Sequence, residues 1–408
     1  QLLLKYRHLQ DSNYKNKGRC ATFQSAMKLT MIIGQLFGLS PVIGVYNIDT
    51  SQLRFRLLSL RSIYSIVSIF FQVLFLSFCI CQAFERNNRG SLSNGTSIVF
   101  YASNCWTTVL FYRIAMQWPS LSQYISRTEG ADPNPDYSLI TKCNLTCFVI
   151  LFLALVEHIL SDLASISVAL DCSPDVNLYE AYNKGSFPWV FKYVTYNHII
   201  GSLTMIINLQ CTFNWNFADV YVICISYYLT SRLQQVNKRI ASISAKYVPP
   251  SLWRVMREDY CRVVQLIRKV DSVINGVIFI SFANNLYFIL FKRTNCVFSS
   301  IYSRPLKGYE HPIYFVYSFV FLMSRSLGVH SATLEAAPSL YEVPSPVYCI
   351  EVQRLIDQIN GDTVSLSGLH FFNVKRGLVL SVRLYCIYLF KTLLHYVQRA
   401  GLMPLGIP

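Results

Sequence analysis

Residues 62–84, SIYSIVSIFFQVLFLSFCICQAF, run without a single Asp, Glu, Lys or Arg, and Arg61 stands immediately before them. A helix rises 1.5 Å per residue, so this run is long enough to cross a hydrocarbon core of about 30 Å. Comparable apolar runs recur along the chain. They fall at about 97–118, ending at Trp118-Pro119, then at 143–170, from Phe187-Pro188-Trp189 to about Leu229, at 268–291 and at 312–334. Of the 408 residues 53% are hydrophobic and 14% charged, well below the quarter usual for a globular domain. Repetition of long apolar runs defines an all-α, multi-span membrane protein.

The basic residues orient it. Lys5, Arg7, Lys15, Lys17, Arg19, Lys28, Arg54, Arg56 and Arg61 precede the first run, and a second group extends from Arg232 to Lys269. The alternate segments carry fewer: Arg86 and Arg89, Lys184, then Lys292, Arg293, Arg304 and Lys307. Positive charge stays on the cytoplasmic side, so the N-terminus and the loop between the fourth and fifth runs lie inside. A heptahelical G-protein-coupled receptor has the opposite orientation. The chain also lacks an Asp-Arg-Tyr-like triplet after the third span; its nearest approach is Glu258-Asp259-Tyr260. The net charge of +15 is explained by this topology and implies no nucleic-acid partner.

The charge and hydropathy pattern divides the chain into a cytoplasmic segment 1–60, spans one to four within 61–230, a cytoplasmic helical loop 231–267, spans five and six within 268–335, a cytoplasmic amphipathic helix within 336–365, and a seventh-span region 366–408. Residues 26–45 are apolar but broken by Gly34, Gly38, Pro41 and Gly44, which predicts a re-entrant or membrane-skimming element rather than a span. The fourth run exceeds what a bilayer needs and turns basic at Lys238 and Arg239, so a long fourth helix projects into the cytoplasm. An amphipathic helix from Ser251 leads into the fifth span, and another over 346–360 carries Val347, Ile350, Leu355, Ile356 and Ile359 on one side. Together these form a cytoplasmic assembly region.

The seventh region is a poor lipid-facing span. It holds His370, Lys375, Arg376, Arg383, Lys391 and His395. Each charge at mid-bilayer costs roughly 2.5–3.5 kcal/mol, against about 0.3–0.6 regained per large apolar residue. Such a segment lines a watery path, or the end of the chain is altered. Residue 1 is not Met, and no cleavable signal peptide is visible, so residue 1 is not expected to be the natural start. Asn94-Gly95-Thr96 follows the first span on the outside and is a glycosylation candidate, whereas Asn144-Leu145-Thr146 sits at an inner end. Cys172 and Cys296 both fall in outer loops, as a disulfide or as two free thiols. No metal-ligand cluster, phosphate loop or nucleophile elbow is present, so neither a metal, a cofactor nor an enzyme is expected. No internal repeat suggests a secondary transporter.

Several stretches carry a resemblance. They are Glu157-His158-Ile159-Leu160-Ser161, FPWVFKYVTYNH at 187–198, Phe213-Asn214-Trp215-Asn216-Phe217-Ala218-Asp219-Val220, Leu233-Gln234-Gln235-Val236-Asn237, and Leu366-Ser367-Gly368-Leu369-His370-Phe371-Phe372 before Arg376-Gly377-Leu378-Val379-Leu380-Ser381. The chain resembles the insect gustatory receptors, and within them the sugar-receptor branch, over roughly 20–382. The resemblance implies the insect chemoreceptor ion-channel fold: seven transmembrane helices with the N-terminus cytoplasmic, four subunits around one pore lined by the last helix, and a cation channel gated by sugar. It implies a homotetramer, or a heteromer with other gustatory receptors, in the plasma membrane of a gustatory neuron dendrite. The family's pore helix ends in a Thr-Tyr pair, a short apolar run and Gln-Phe. Here RLYCIYLFKTLLHYVQRAGLMPLGIP follows Val382 instead, so the resemblance ends there and the family's pore residues are not carried past it.

A sugar is held by amide or carboxylate groups that bond its hydroxyls and by aromatic faces that cover its C–H side. Polar residues inside spans are expensive and mark function or packing. In the third span these are Glu157, His158 and Asp162, as ligand contacts or as an interhelical clamp. At the outer end of the fourth, Trp189, Tyr193, Tyr196 and Asn197 recur at helical spacing, as a ligand face or an interfacial aromatic belt. Asn104 and Trp106 in the second span, Asn284, Asn285 and Tyr287 in the fifth, and Tyr314 and Tyr317 in the sixth complete the candidates. Trp215 and Asp219 lie deeper in the fourth span, where packing or gating is expected.

Overall fold

The computed structural model describes residues 22–47, 49–85, 92–130, 136–172, 177–301, 313–378 and 381. Its first helix, α1 (Phe23–Leu36), starts where the Thr22 hydroxyl accepts the Ser25 N–H at 3.2 Å. Phe23, Ala26, Met27 and Met31 recur at three- and four-residue spacing and are buried. Gly34 lets this helix meet the ring of Phe217, whose Cζ would lie 2.7 Å from an added Cβ. The chain then reverses at Gly38 (φ 74°) into a two-strand hairpin, β1 (Val42–Ile43) against β2 (Arg54–Phe55). The apolar 26–45 stretch therefore turns back after 14 helical residues instead of crossing.

The long helices follow: α2 (Leu60–Glu85), α3 (Leu92–Gly130), α4 (Ser138–Cys172), the short α5 (Leu178–Ser186) and α6 (Pro188–Phe191), then α7 (His198–Ser244), α8 (Pro250–Ile301) and α9 (Ile313–Leu334). After them come α10 (Ala337–Tyr341), α11 (Ile350–Gly361) and a second hairpin, β3 (Ser367–Gly368) with β4 (Phe372–Asn373). By length and composition, three stretches of the described residues can cross a membrane: Leu60–Glu85, Ser138–Ser167 and Pro250–Ile289. At 39 and 47 residues α3 and α7 also have the length, but they interleave Asn104, Asn208, Asn214 and Asp219 with apolar residues.

At the centre of the bundle stands α7. Every residue from Asn214 to Ser226 is buried, so this helix is covered on all sides. Its 47 residues make it about 70 Å long, more than a hydrocarbon core of about 30 Å needs, so the fourth long helix is as extended as the sequence predicts. Three boundaries differ from the sequence reading. Helix α3 does not stop at Trp118-Pro119 but continues to Gly130, because Trp118, Leu121 and Ile125 keep a buried stripe that outweighs one missing N–H. The helix expected from Ser251 and the fifth span are one element, α8. Residues 187–229 are not one helix: α6 ends at Phe191, residues 195–197 are irregular, and Asn197 caps α7 with its side chain accepting the Ile199 N–H at 3.1 Å.

Charge ties the first turns of α8 to α11 on one side and to the end of α7 on the other. Glu351 is buried and accepts from Arg257 at 2.8 Å and Arg354 at 3.0 Å. Asp259 pairs with Arg239 of α7 at 3.2 Å and Arg262 at 2.9 Å. Val352, Leu355, Ile356 and Ile359 form the buried stripe of α11, whereas Ile350 points outward. The Asn94 side chain, the Cys172 and Cys296 thiols, and residues 382–408 with their pore-helix expectation lie outside the described residues.

The hydrogen bond from Arg257 holds the Glu351 carboxyl below its ordinary range. Its stabilising effect is therefore complete above the unfolded value of about 4.3 and is lost as pH falls through the lower folded value. Thermal unfolding of the purified chain across acidic pH should show this loss, and Glu351→Gln should melt lower at neutral pH with a flatter acid limb.

Candidate ligand site

Two polar groups lie inside the bundle, and they differ in how completely they are satisfied. The first joins α7 to α8. Asp219 accepts from Ser281 and from Asn285 Nδ2, the latter at 2.9 and 3.1 Å to its two oxygens. Asn285 Nδ2 also reaches the Ser281 carbonyl at 2.9 Å. Asn284 is buried on the same helix, and Tyr287 is half-buried with its ring edge-on to Phe288. Trp215, one turn before Asp219, packs on Phe288 with centroids 4.3 Å apart. This is a helix clamp built of charge-assisted bonds.

The second group is a ladder along the contact of α3 with α7 and α2. From its outer end, the Tyr101 hydroxyl donates to Asn208 Oδ1 at 3.1 Å. One turn deeper, Asn104 Nδ2 donates to the Phe100 carbonyl at 2.9 Å. The Thr108 hydroxyl lies 3.0 Å from both Gln72 Oε1 and the Asn104 carbonyl and accepts from Asn214 Nδ2 at 3.2 Å. Here several polar atoms are unspent. Among the described residues, Asn104 Oδ1, Asn214 Oδ1 and Trp189 Nε1 are buried without a hydrogen-bond partner. Each such atom costs free energy unless something bonds it.

Aromatic rings frame the ladder. Trp189 meets Tyr101 at 5.9 Å and Phe187 at 5.8 Å, while Tyr101 touches Phe75 at 5.7 Å and Phe100 at 5.1 Å. Phe100 leads to Trp215 at 6.2 Å. The break between α6 and α7 makes this possible, because it turns the Trp189 ring inward against α3 instead of continuing a helical face.

The remaining candidates are placed elsewhere. His158 and Asp162 pair at 3.4 Å, and Asp162 accepts from the Tyr182 hydroxyl at 3.0 Å, tying α4 to α5. Burial and the neighbouring Asp162 carboxylate hold that phenol above its ordinary value. Glu157 is half-buried beside them. Tyr193 reaches out to Glu85 at 3.0 Å and stacks on Phe78. Tyr196 contacts His198, and Asn197 is spent as the α7 cap. Trp106 is 54% exposed, on the opposite face of α3 from the ladder. The helical spacing that groups Trp189, Tyr193, Tyr196 and Asn197 fails because the segment is not helical throughout. The side chains of Tyr314 and Tyr317 lie outside the described residues. Gln72, Tyr101, Thr108, Asn208 and Asn214 are ladder members that the sequence reading passed over. Gln72 had a signal, as one of two amides in the first apolar run.

The olfactory receptor OR5 of Machilis hrabei in complex with eugenol superposes with a TM-score of 0.67, covering 91% of this chain and 97% of that one at 14% identity. The same receptor's structure described without that ligand gives 0.65. The trehalose receptor family model matches residues 6–393, and the chain belongs to this family of insect gustatory receptors. Its match continues past Val382, where the sequence resemblance was expected to end. Among curated relatives, the Drosophila melanogaster gustatory receptor for sugar taste 64a is 27% identical over 98% of this chain and 91% of its own length. Gustatory receptor 5a for trehalose of the same organism is 28% identical over 90% and 84%. The chain is thus a membrane receptor of the gustatory class and not an enzyme.

Replacing Asn285 by Leu should lower unfolding stability by about 1–3 kcal/mol, since Asp219 loses two charge-assisted bonds. Thermal melting in detergent checks this. Trp106→Phe, on the exposed face, should leave the midpoint unchanged.

Proposed function

We propose that this chain is a subunit of a sugar-gated, non-selective cation channel that serves as a sweet-taste receptor. The observation that carries the reading is the set of unspent buried donors and acceptors inside an aromatic frame in the outer half of the bundle. A sugar supplies donor and acceptor hydroxyls at close spacing and a C–H face for the rings. The relatives named for sugar taste and for trehalose support a sugar as the ligand.

In this reading Trp189 Nε1 donates to a sugar oxygen, Asn104 Oδ1 and Asn214 Oδ1 accept from hydroxyls, and Trp189 and Tyr101 cover the ring. The clamp at Asp219 is kept for packing and gating, and His158, Asp162 and Glu157 brace the outer connection. Four subunits surround the pore, which the last helix lines, as a homotetramer or with other gustatory receptors. The receptor spans the plasma membrane of the gustatory dendrite. A millimolar ligand binds with only about −4 kcal/mol, so a few hydrogen bonds and one covered ring suffice. Gating requires those contacts to differ between closed and open states.

The test is whole-cell current during a panel of sugars that includes trehalose. The expected result is a sugar-evoked cation current. Trp189→Phe, which keeps the ring and removes the N–H, should shift the dose–response about 2- to 10-fold to higher sugar with the maximal current retained, as for the loss of one net hydrogen bond. An unchanged response in both Trp189→Phe and Asn104→Ala, with surface expression equal, would remove this ladder as the sugar site.

A further inference from the structure

At the foot of α2, the sequence Arg54-Phe55-Arg56-Leu57-Leu58-Ser59-Leu60-Arg61 combines two features that ordinarily exclude each other on a protein surface. Leu57, Leu58 and Leu60 are 61%, 91% and 86% exposed. Arg54 and Arg56 are exposed just before them, and Arg61, just after, is half-exposed. The turn that presents the leucines is fixed. The Arg56 carbonyl accepts from the Ser59 N–H at 3.2 Å and from the Ser62 hydroxyl at 2.7 Å, and Ser59 Oγ accepts the Ser62 N–H at 3.2 Å. The leucines therefore do not escape water by collapsing onto the fold.

Their apolar surface continues upward without a break. Ile63, Tyr64, Ile66, Val67 and Phe70 are exposed along α2, which is one of the stretches able to cross a membrane. The leucines thus lie at the bottom edge of a lipid-facing surface, on the side that the charge pattern assigns to the cytoplasm. Among the described residues no carboxylate pairs with Arg54, Arg56 or Arg61. The acid nearest in sequence, Asp49, is already bonded by the Ser51 N–H at 2.9 Å and hydroxyl at 2.7 Å. Arg61 does donate one bond, to the Val42 carbonyl at 2.7 Å, which fixes the hairpin to the helix.

We propose that this turn is a binding site for the anionic phospholipids of the inner leaflet. Leu57, Leu58 and Leu60 enter the acyl boundary, while the guanidinium groups of Arg54 and Arg56 hold lipid phosphates, with Arg61 behind them. The charge complementarity is direct, since a guanidinium fork matches a phosphate and the cytoplasmic leaflet is the anionic one. Apolar burial beside basic residues is the combination that seats amphipathic segments at a headgroup boundary.

The full chain is reconstituted in nanodiscs of phosphatidylcholine alone or with added phosphatidylserine, and the thermal midpoint is read for each. Phosphatidylserine should raise the midpoint of the unaltered chain, and the rise should shrink with added salt. Arg54→Gln/Arg56→Gln should abolish the rise, Arg54→Lys/Arg56→Lys should keep most of it, and Leu57→Ser/Leu58→Ser should reduce it. Each variant is compared with itself in the two lipids, so a general loss of stability does not imitate the result. No rise in the unaltered chain, or an equal rise in the Gln variant, would overturn the proposal. So would an equal rise produced by inorganic phosphate in phosphatidylcholine discs.

Discussion

A carboxylate in the middle of a membrane bundle must be surrounded by donors, and the position of Asp219 imposes that requirement on everything near it. Ser281 and Asn285 of α8 answer it directly. Once these bonds form, α7 and α8 cannot slide past one another without stranding a charge in low dielectric. The apolar register of the pair follows from that constraint, since Trp215 then meets Phe288 one turn outward. Burial of α7 on all sides from Asn214 to Ser226 belongs to the same constraint, because the Asp219 charge there has no lipid or water face and is met by α8.

Measured against this clamp, the outer ladder is a different kind of object. The clamp spends its donors on one another, while Asn104, Asn214 and Trp189 each retain a buried polar atom with no partner among the described residues. Their retention within a ring of Tyr101, Phe100, Phe187 and Trp189 is intelligible if a hydroxyl-bearing molecule bonds them. Depth separates the two objects as well: the ladder begins at Tyr101 and Asn208 near the outer end, and the clamp lies beyond Asn214 on the same helix.

Much of the fold was legible in the sequence because hydropathy and charge act over whole segments. The run 62–84 reads as one long apolar helix and the glycine-broken 26–45 element as a segment that turns back, and composition alone suffices for both. Boundaries were less legible, because they depend on contacts between segments. Trp118-Pro119 reads as an end until Leu121 and Ile125 are seen to be buried. The site was legible only in part. Trp189 and Asn104 stand out as polar or amphipathic residues near spans, but the helical spacing that grouped Trp189 with Tyr193, Tyr196 and Asn197 assumed a helix that Asn197 begins rather than continues. Gln72, Thr108 and Asn214 belong to three different helices, and no spacing along one chain relates them.

The geometry also connects the outer ladder to the cytoplasmic end of the bundle through rigid parts. Asn214 belongs to the ladder and Asp219 to the clamp, five residues apart on one buried helix. The clamp's partner helix, α8, continues inward to Asp271, which accepts the Ser367 N–H and hydroxyl, each at 2.7 Å. Ser367 opens the β3–β4 hairpin, whose turn holds Leu369 and His370 at positive φ (48° and 61°), and the helix starting at residue 376 leaves from its far side. A non-glycine residue is kept in that backbone region only when its surroundings over-determine it, as the Asp271 bonds and the Leu369 N–H to Asn275 carbonyl bond at 3.3 Å do here. A shift of α8 therefore reaches residues 376–378 through bonds rather than through soft packing, and soft packing would absorb it. A continuous path of this kind is what the proposed gating would need, since coupling between two sites is carried by rigid, bonded elements.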